Sequence, residues 1–217
     1  LASVDTGAEG AAPDALDQAE ILRERIRIVL KRRGILFRAL LERELPDLRF
    51  SALFPAMRRM ELSGELMAGL FFHGIQGPQF MSPEGLRLFR SLDEAEPAVF
   101  VISAVDPASL CGLGIEGLSA PLPPRAPQNA LVYRGSWLLM ASRKGGAEID
   151  LYSEEFAAQA FQAYSSWLDR RARAAAAGRA RILTINGESA LKSPFAEAAR
   201  GAGFNQGLNG LEYYPRA

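Results

Sequence analysis

Arginine is the charged side chain this sequence gathers most densely. Arg23, Arg25, Arg27, Lys31, Arg32 and Arg33 crowd one stretch, and Arg38, Arg49, Arg58 and Arg59 follow it. Guanidinium and ammonium groups in that density suit phosphate oxygens, with chemistry that positions a nucleic-acid backbone rather than selecting a base. Three other side chains could add contacts. His73, the single histidine, reaches a phosphate or a base edge, or is a loop residue without a role. Gln76 and Gln79 carry the donor and acceptor that suit adenine edges, or are turn residues. Trp137 offers a ring for a flipped or unpaired base, or is a core aromatic. A later basic run, Arg170, Arg171, Arg173, Arg179 and Arg181, tracks a phosphate backbone or forms a solvated helix end favoured by the dipole.

Enzyme chemistry finds little to stand on. No GxxxxGK[ST] cradles a nucleotide, and neither GxSxG nor HExxH occurs. Asp93-Glu94-Ala95-Glu96 follows no buried strand and reads as a solvated turn before Pro97. Asp106 fits a capped turn. Glu148, Asp150, Glu154 and Glu155 cluster in sequence, but Glu154 and Glu155 also suit a helix first turn. Cys111, the lone cysteine, excludes an internal disulfide and a cysteine-based zinc cluster, and reads as a small buried hydrophobe.

These side chains need elements to hold them. The 217 residues, 48% hydrophobic and 23% charged, have ordinary globular composition with room for one or two domains. No apolar run is long enough to span a membrane, and the first residues lack the pattern of a signal peptide. Leu1 in place of Met points to a piece of a longer or processed chain.

Residues 1–19, rich in Ala, Gly, Asp and Pro, read as a disordered lead or linker. Order begins near Asp17–Glu20, a pair spaced as an N-cap and its partner glutamate. Leu22, Ile26, Val29 and Leu30 then repeat at helical spacing up to Gly34. A second helix fits residues 36–44. A third fits 50–62, with Leu53, Phe54, Met57 and Met60 as its stripe, Ser51 as a first-turn cap and Pro55 tolerated early in it. Two apolar runs, 65–72 and 79–81, flank a Gly/Pro/Gln turn and form a hairpin. Three helices and a hairpin are the order of a winged helix, whose third helix enters the major groove while the wing reaches the backbone or adjacent groove.

The remainder differs in kind. A short helix fits residues 83–92 and a strand 98–103. Two further strands flank Arg134-Gly135-Ser136, and another covers 148–152. A long helix spans about 154–177, ended by Gly178 after four alanines. A terminal strand–helix–strand element covers 182–185, 194–202 and 211–214. The fold class is therefore α+β, with a winged-helix domain over 20–92 and a β-rich domain over 93–217.

Charge is sectored beneath a net of zero. Residues 1–19 carry four acidic residues and no basic one. Residues 20–60 carry 11 basic and 5 acidic residues, 61–132 carry 3 and 8, and 133–217 carry 11 and 8. A neutral total thus conceals a basic segment coincident with the three helices.

Several segments together resemble the large helicase-related family of ATP-dependent DNA helicases of superfamily 2, specifically its C-terminal non-motor region. They are Arg33-Gly34-Ile35-Leu36-Phe37-Arg38, Met57-Arg58-Arg59-Met60-Glu61-Leu62-Ser63-Gly64-Glu65 and Gly77-Pro78-Gln79-Phe80-Met81-Ser82-Pro83-Glu84. Ile102-Ser103-Ala104-Val105-Asp106-Pro107, Gln128-Asn129-Ala130-Leu131-Val132-Tyr133-Arg134 and Ile185-Asn186-Gly187-Glu188 follow in the family's order, and Ser193 to Phe204 completes the set. The resemblance covers about residues 20–215. It implies a winged helix joined to a mostly β part, behind two RecA-like motor domains that this sequence lacks. The same architecture is similar to bacterial winged-helix DNA glycosylases.

The resemblance implies a DNA-binding and coupling module of a cytoplasmic, ATP-dependent 3′-to-5′ helicase in DNA repair. This fragment would be no enzyme itself and hold no cofactor, with ATP and Mg belonging to the parent motor. Its partners would be DNA, single-stranded or at a duplex junction, and the motor domains, with no membrane. Lys31, Arg32, Arg33, Arg38, Arg49, Arg58, Arg59, His73 and Trp137 are the candidate nucleic-acid contacts; catalytic and metal residues are none. A glycosylase-like enzyme, with Gln76, Gln79 and Asp106 as its polar candidates, and a protein-interaction or bracing module are the alternatives.

Overall fold

The computed structural model describes residues 15–92, 97–115, 122–175 and 179–215. The lead of residues 1–14, the acidic turn at 93–96 and the helix stop at 176–178 lie outside the described residues. The chain divides into two compact units, Leu1–Arg87 and Leu88–Ala217.

In the first unit α1 (Ala15–Arg33) buries Ile26, Val29 and Leu30, the stripe its spacing predicts. The helix starts before Asp17, so that carboxylate lies in the first turn instead of capping it, where the positive end of the helix dipole favours it. Gly34, at φ +76°, ends the helix with its N–H donated to the Leu30 carbonyl at 2.7 Å.

The second helix is shorter than its apolar spacing predicts. Leu36 is extended and exchanges both backbone bonds with Phe80, at 2.9 and 2.8 Å, so pairing with the wing takes residues from the helix. Only α2 (Arg38–Leu41) remains, followed by a 3₁₀ turn at Pro46–Leu48.

Helix α3 (Phe50–Leu62) has the expected bounds and buries Phe50, Leu53, Ala56, Met57 and Met60. Arg49 occupies its N-cap position and no side chain caps it; Ser51 already lies inside the first turn. Pro55 falls in the second turn, and the helix runs through it. Strands β1 (Met67–Gly69) and β2 (Gln79–Met81) pair antiparallel, Met67 with Met81, and form a wing shorter than the two apolar runs. Phe80 packs between these layers, 6.1 Å from the Phe54 ring in an edge-on contact. Helix α4 (Pro83–Ser91) follows, and the unit division falls within it. Ser82 accepts the Gly85 N–H at its start.

The second unit is built on strands β3 (Val99–Ser103), β4 (Ala130–Arg134), β5 (Trp137–Arg143) and β6 (Glu148–Leu151). Helix α5 (Ala157–Ala175) begins later than sequence predicts, so Glu154 and Glu155 precede it. The predicted strand at 182–185 is two strands, β7 (Ala180–Ile182) and β8 (Thr184–Ile185), in different sheets. Then come β9 (Glu188–Ser189), α6 (Ala196–Gly201), β10 (Asn205–Gln206) and β11 (Leu211–Tyr213). The large sheet runs β3-β4-β5-β6-β8-β9, parallel only between β6 and β8; a small one runs β10-β11-β7.

Alternation along the strands sets two faces. Ala130, Val132, Leu139 and Ile149 join Phe161, Tyr164 and Leu168 of α5 in the main core. Leu131 and Ala141 turn the other way, against Ala104 and Cys111. The Tyr164 hydroxyl is buried but shares a 2.8 Å hydrogen bond with Ser142, and burial pushes its pKa up.

Two carboxamides pin loops to this sheet. Asn129 donates to the Pro124 carbonyl and accepts the Lys144 N–H, at 2.9 and 3.0 Å. Asn186, in the β8–β9 turn with φ +52°, accepts the Leu151 N–H at 2.6 Å and donates to the Leu151 carbonyl at 3.1 Å.

Candidate nucleic-acid interface

The predicted cations separate into those already engaged and those open to a ligand. At the end of α1, Arg32 and Arg33 both ion-pair with Glu44, Arg33 at 3.2 Å, and the Arg33 side chain is only 7% exposed. Arg49 donates its Nε–H to the Glu44 carbonyl at 3.4 Å. The fold therefore brings Arg32, Arg33 and Arg49 together around one acidic residue. Burial opposes the Glu44 charge, but hydrogen bonds from Arg32 and Arg33 outweigh it and hold the carboxyl below its usual range. Lys31 beside them is exposed and makes no ion pair among the described residues. Arg38 is exposed, with its guanidinium 4.9 Å from the Phe50 ring centroid.

Helix α3 presents a different pair. Arg58 is exposed and, among the described residues, ion-paired only with Glu61, one helical turn on. Arg59 is exposed and has no side-chain partner among the described residues. Both lie off the buried stripe because Met57 and Met60 flank them in the core. Arg27 on α1 is fully engaged: hydrogen bonds from its guanidinium to Glu65 and Glu20 push its pKa further up.

His73 is exposed in the wing loop. Gln76 there is exposed too, but Gln79 is fully buried. Its carbonyl accepts the Phe72 N–H at 2.8 Å, while its amide donates to the carbonyls of Phe72 at 2.9 Å and Ile75 at 3.2 Å. Gln79 is thus a clamp inside the wing, with its hydrogen-bonding groups turned inward. Its position next to Phe80, at the start of a strand facing a glycine-rich turn, was the available sequence signal. Glu44, the anchor of the α1 arginines, carried no local signal at all, since its partners lie eleven and twelve residues earlier.

In the second unit, Trp137 opens β5 opposite Arg134 and is 67% exposed, contrary to the usual core role of a strand aromatic. The hairpin turn puts it at the sheet's end. Arg134 lies over the Phe156 ring at 4.4 Å. Of the later basic run, Arg171 stacks over Trp167, and Arg179 and Arg181 both reach Glu212. Asp106 accepts the Ala108 N–H at 2.8 Å, the capped turn its sequence predicts. Glu148 pairs with Lys144 and Asp150 with Arg143. Among the described residues no group of three His, Cys, Asp or Glu could hold a metal, and no helix is long and apolar enough to cross a membrane.

Residues 15–99 match the family model of the large helicase-related protein, winged-helix domain. The Lhr helicase/uracil glycosylase of Escherichia coli (strain K12) is 29% identical over 177 residues, covering 74% of this chain and 11% of that relative. The chain therefore spans about a ninth of the length of the curated relative it matches.

Proposed function

We propose that this chain is a DNA-binding and coupling module that holds the translocating strand for an ATP-driven 3′-to-5′ motor, a reading supported by the match of residues 15–99 to the winged-helix model of the large helicase-related protein. The carrying observation is the α3 surface, where Arg59 has no ion pair among the described residues and Arg58 has only an exposed one. Exposed pairs contribute roughly 0–1 kcal/mol, so a phosphate displaces Glu61 at small cost. Within the first unit Lys31, Arg38 and the exposed Arg49 extend the contact, Arg32 and Arg33 hold the framework, and His73 reaches a base; Trp137, in the second unit, is a separate candidate for stacking. ATP and Mg would be bound by RecA-like motor domains of the parent protein, which acts in DNA repair in the cytoplasm.

The test is fluorescence anisotropy of a labelled single strand against the full chain across a salt series. Each phosphate contact to a single strand contributes about 0.7 to the slope of log K against log salt. Arg58→Ala with Arg59→Ala is expected to flatten that slope by about 1.4. An unchanged slope in a folded variant overturns the assignment, and no binding at low salt by the parent chain turns the reading to protein interaction or bracing.

The similarity to a helicase/uracil glycosylase favours a second reading, in which the chain releases uracil from DNA without ATP. Gln79 and Asp106 are tied to backbone groups, which leaves Gln76 as the exposed member of the earlier polar candidates. Incubation with a uracil-containing strand, followed by alkaline cleavage at abasic sites, tests it; intact strands reject it.

A further inference from the structure

The wing has a chemistry unlike that of α3. Residues 69–78, Gly-Leu-Phe-Phe-His-Gly-Ile-Gln-Gly-Pro, contain no Lys, Arg, Asp or Glu. The loop is nonetheless shaped from inside. Buried Gln79 ties Phe72 at two backbone atoms and Ile75 at one, and the Phe71 ring lies against Gly69 so closely that a Cβ there would meet it at 3.2 Å. Its base is fixed as well, because the Glu65 and Leu66 N–H groups both donate to the Met60 carbonyl at the end of α3. On this frame Leu70 stands 81% exposed, and His73 and Gln76 are exposed beside the turn.

An uncharged loop that holds a leucine in water on a fixed frame offers phosphate oxygens neither a Lys nor an Arg. It suits the faces of bases, which apolar side chains enter by unstacking a step. A base step opens most readily at the end of a duplex, where stacking continues on one side only. We propose that the wing is a wedge for the terminal base pair at a junction between duplex and single strand, with Leu70 as the contacting side chain and Gln79 as the positioning residue. The inference rests on the proposed DNA-holding function. It assigns strand holding to the α3 arginines and junction recognition to the wing.

The experiment compares the full chain on a forked duplex and on its unpaired strand alone, with 2-aminopurine at the last paired position. The expected result is tighter binding to the fork and a rise in 2-aminopurine fluorescence as the base unstacks. Leu70→Ala, a change at an 81% exposed side chain, is expected to remove about five- to tenfold of the fork preference, the order that partial cover of its apolar surface by a base supplies, and to abolish the fluorescence rise. Gln79→Met keeps the side-chain volume, removes the clamp and is expected to do the same, with single-strand affinity unchanged in both. Arg58→Ala with Arg59→Ala is expected to weaken both DNAs by one factor and leave their ratio intact. Equal binding of fork and single strand, or a fork preference untouched by Leu70→Ala, overturns the wedge while the DNA-holding function stands. Failure of both DNAs to bind at low salt overturns the two together.

Discussion

Arg32-Arg33 and Arg58-Arg59 are the same dipeptide, each on a helix of the first unit, and they end in opposite circumstances. Glu44 gathers the first pair, with Arg33 nearly buried. The second pair faces water, with only Glu61 on one member. The dipeptide alone does not tell the two apart, and the difference comes from where the chain returns an acid. The lesson is that a basic run counts as phosphate-binding capacity only after its internal carboxylates have taken their share.

The largest way to break this contrast is to remove the acids in turn. Glu44→Gln takes the carboxylate away from Arg32 and from the 7% exposed side chain of Arg33 and is expected to destabilise the domain by about 3 kcal/mol, read from urea unfolding. Glu61→Gln, at an exposed pair, is expected to cost under about 0.5 kcal/mol. Similar losses for both would erase the distinction between framework and surface arginines.

Next in size is the effect on DNA. Arg58→Ala with Arg59→Ala should lower single-strand affinity about tenfold or more at low salt, whereas Arg32→Ala should act mainly on stability. Anisotropy titrations alongside thermal melts separate the two, and a binding loss for Arg32→Ala with an unchanged melt would reassign it.

Acid titration sharpens the same point. The Glu44 carboxyl titrates below its ordinary 4.5 in the folded chain, so the unfolded chain takes up the proton first. The stability from this carboxylate is complete above that ordinary value and is lost as pH falls through the lower, folded one. The gap between parent and Glu44→Gln unfolding free energies should therefore narrow below about pH 4.5; a constant gap would show that the pair holds no charge-dependent stability. The smallest expected effect is a gain: Glu61→Gln frees Arg58 and should tighten single-strand binding about twofold, measurable by competition.

Much of the fold was legible because it is local. The stripe of Leu53, Met57 and Met60 marks α3, and Arg134-Gly135-Ser136 marks the β4–β5 turn, each within one window of sequence. What escaped depends on pairing across the chain. Leu36 leaves its helix because Phe80, far along the sequence, offers a strand. The run at 182–185 divides because its two ends bond to different sheets. The candidate site follows the same pattern. Arg58 and Arg59 fall off a helical stripe and were readable, but the capture of Arg32 and Arg33 by Glu44, the burial of Gln79 and the exposure of Trp137 are all set by the tertiary fold.

Asn186 carries a consequence for reading related sequences. Its side chain bonds both backbone groups of Leu151, so one amide stands in for the peptide unit of an absent strand residue. Aspartate has almost the same outline but no N–H, and would set a carboxylate oxygen against the Leu151 carbonyl. A single-atom exchange, nitrogen for oxygen, thus separates a closed rung from two opposed oxygens. An asparagine in this turn is a spare piece of main chain, and its meaning is architectural rather than chemical.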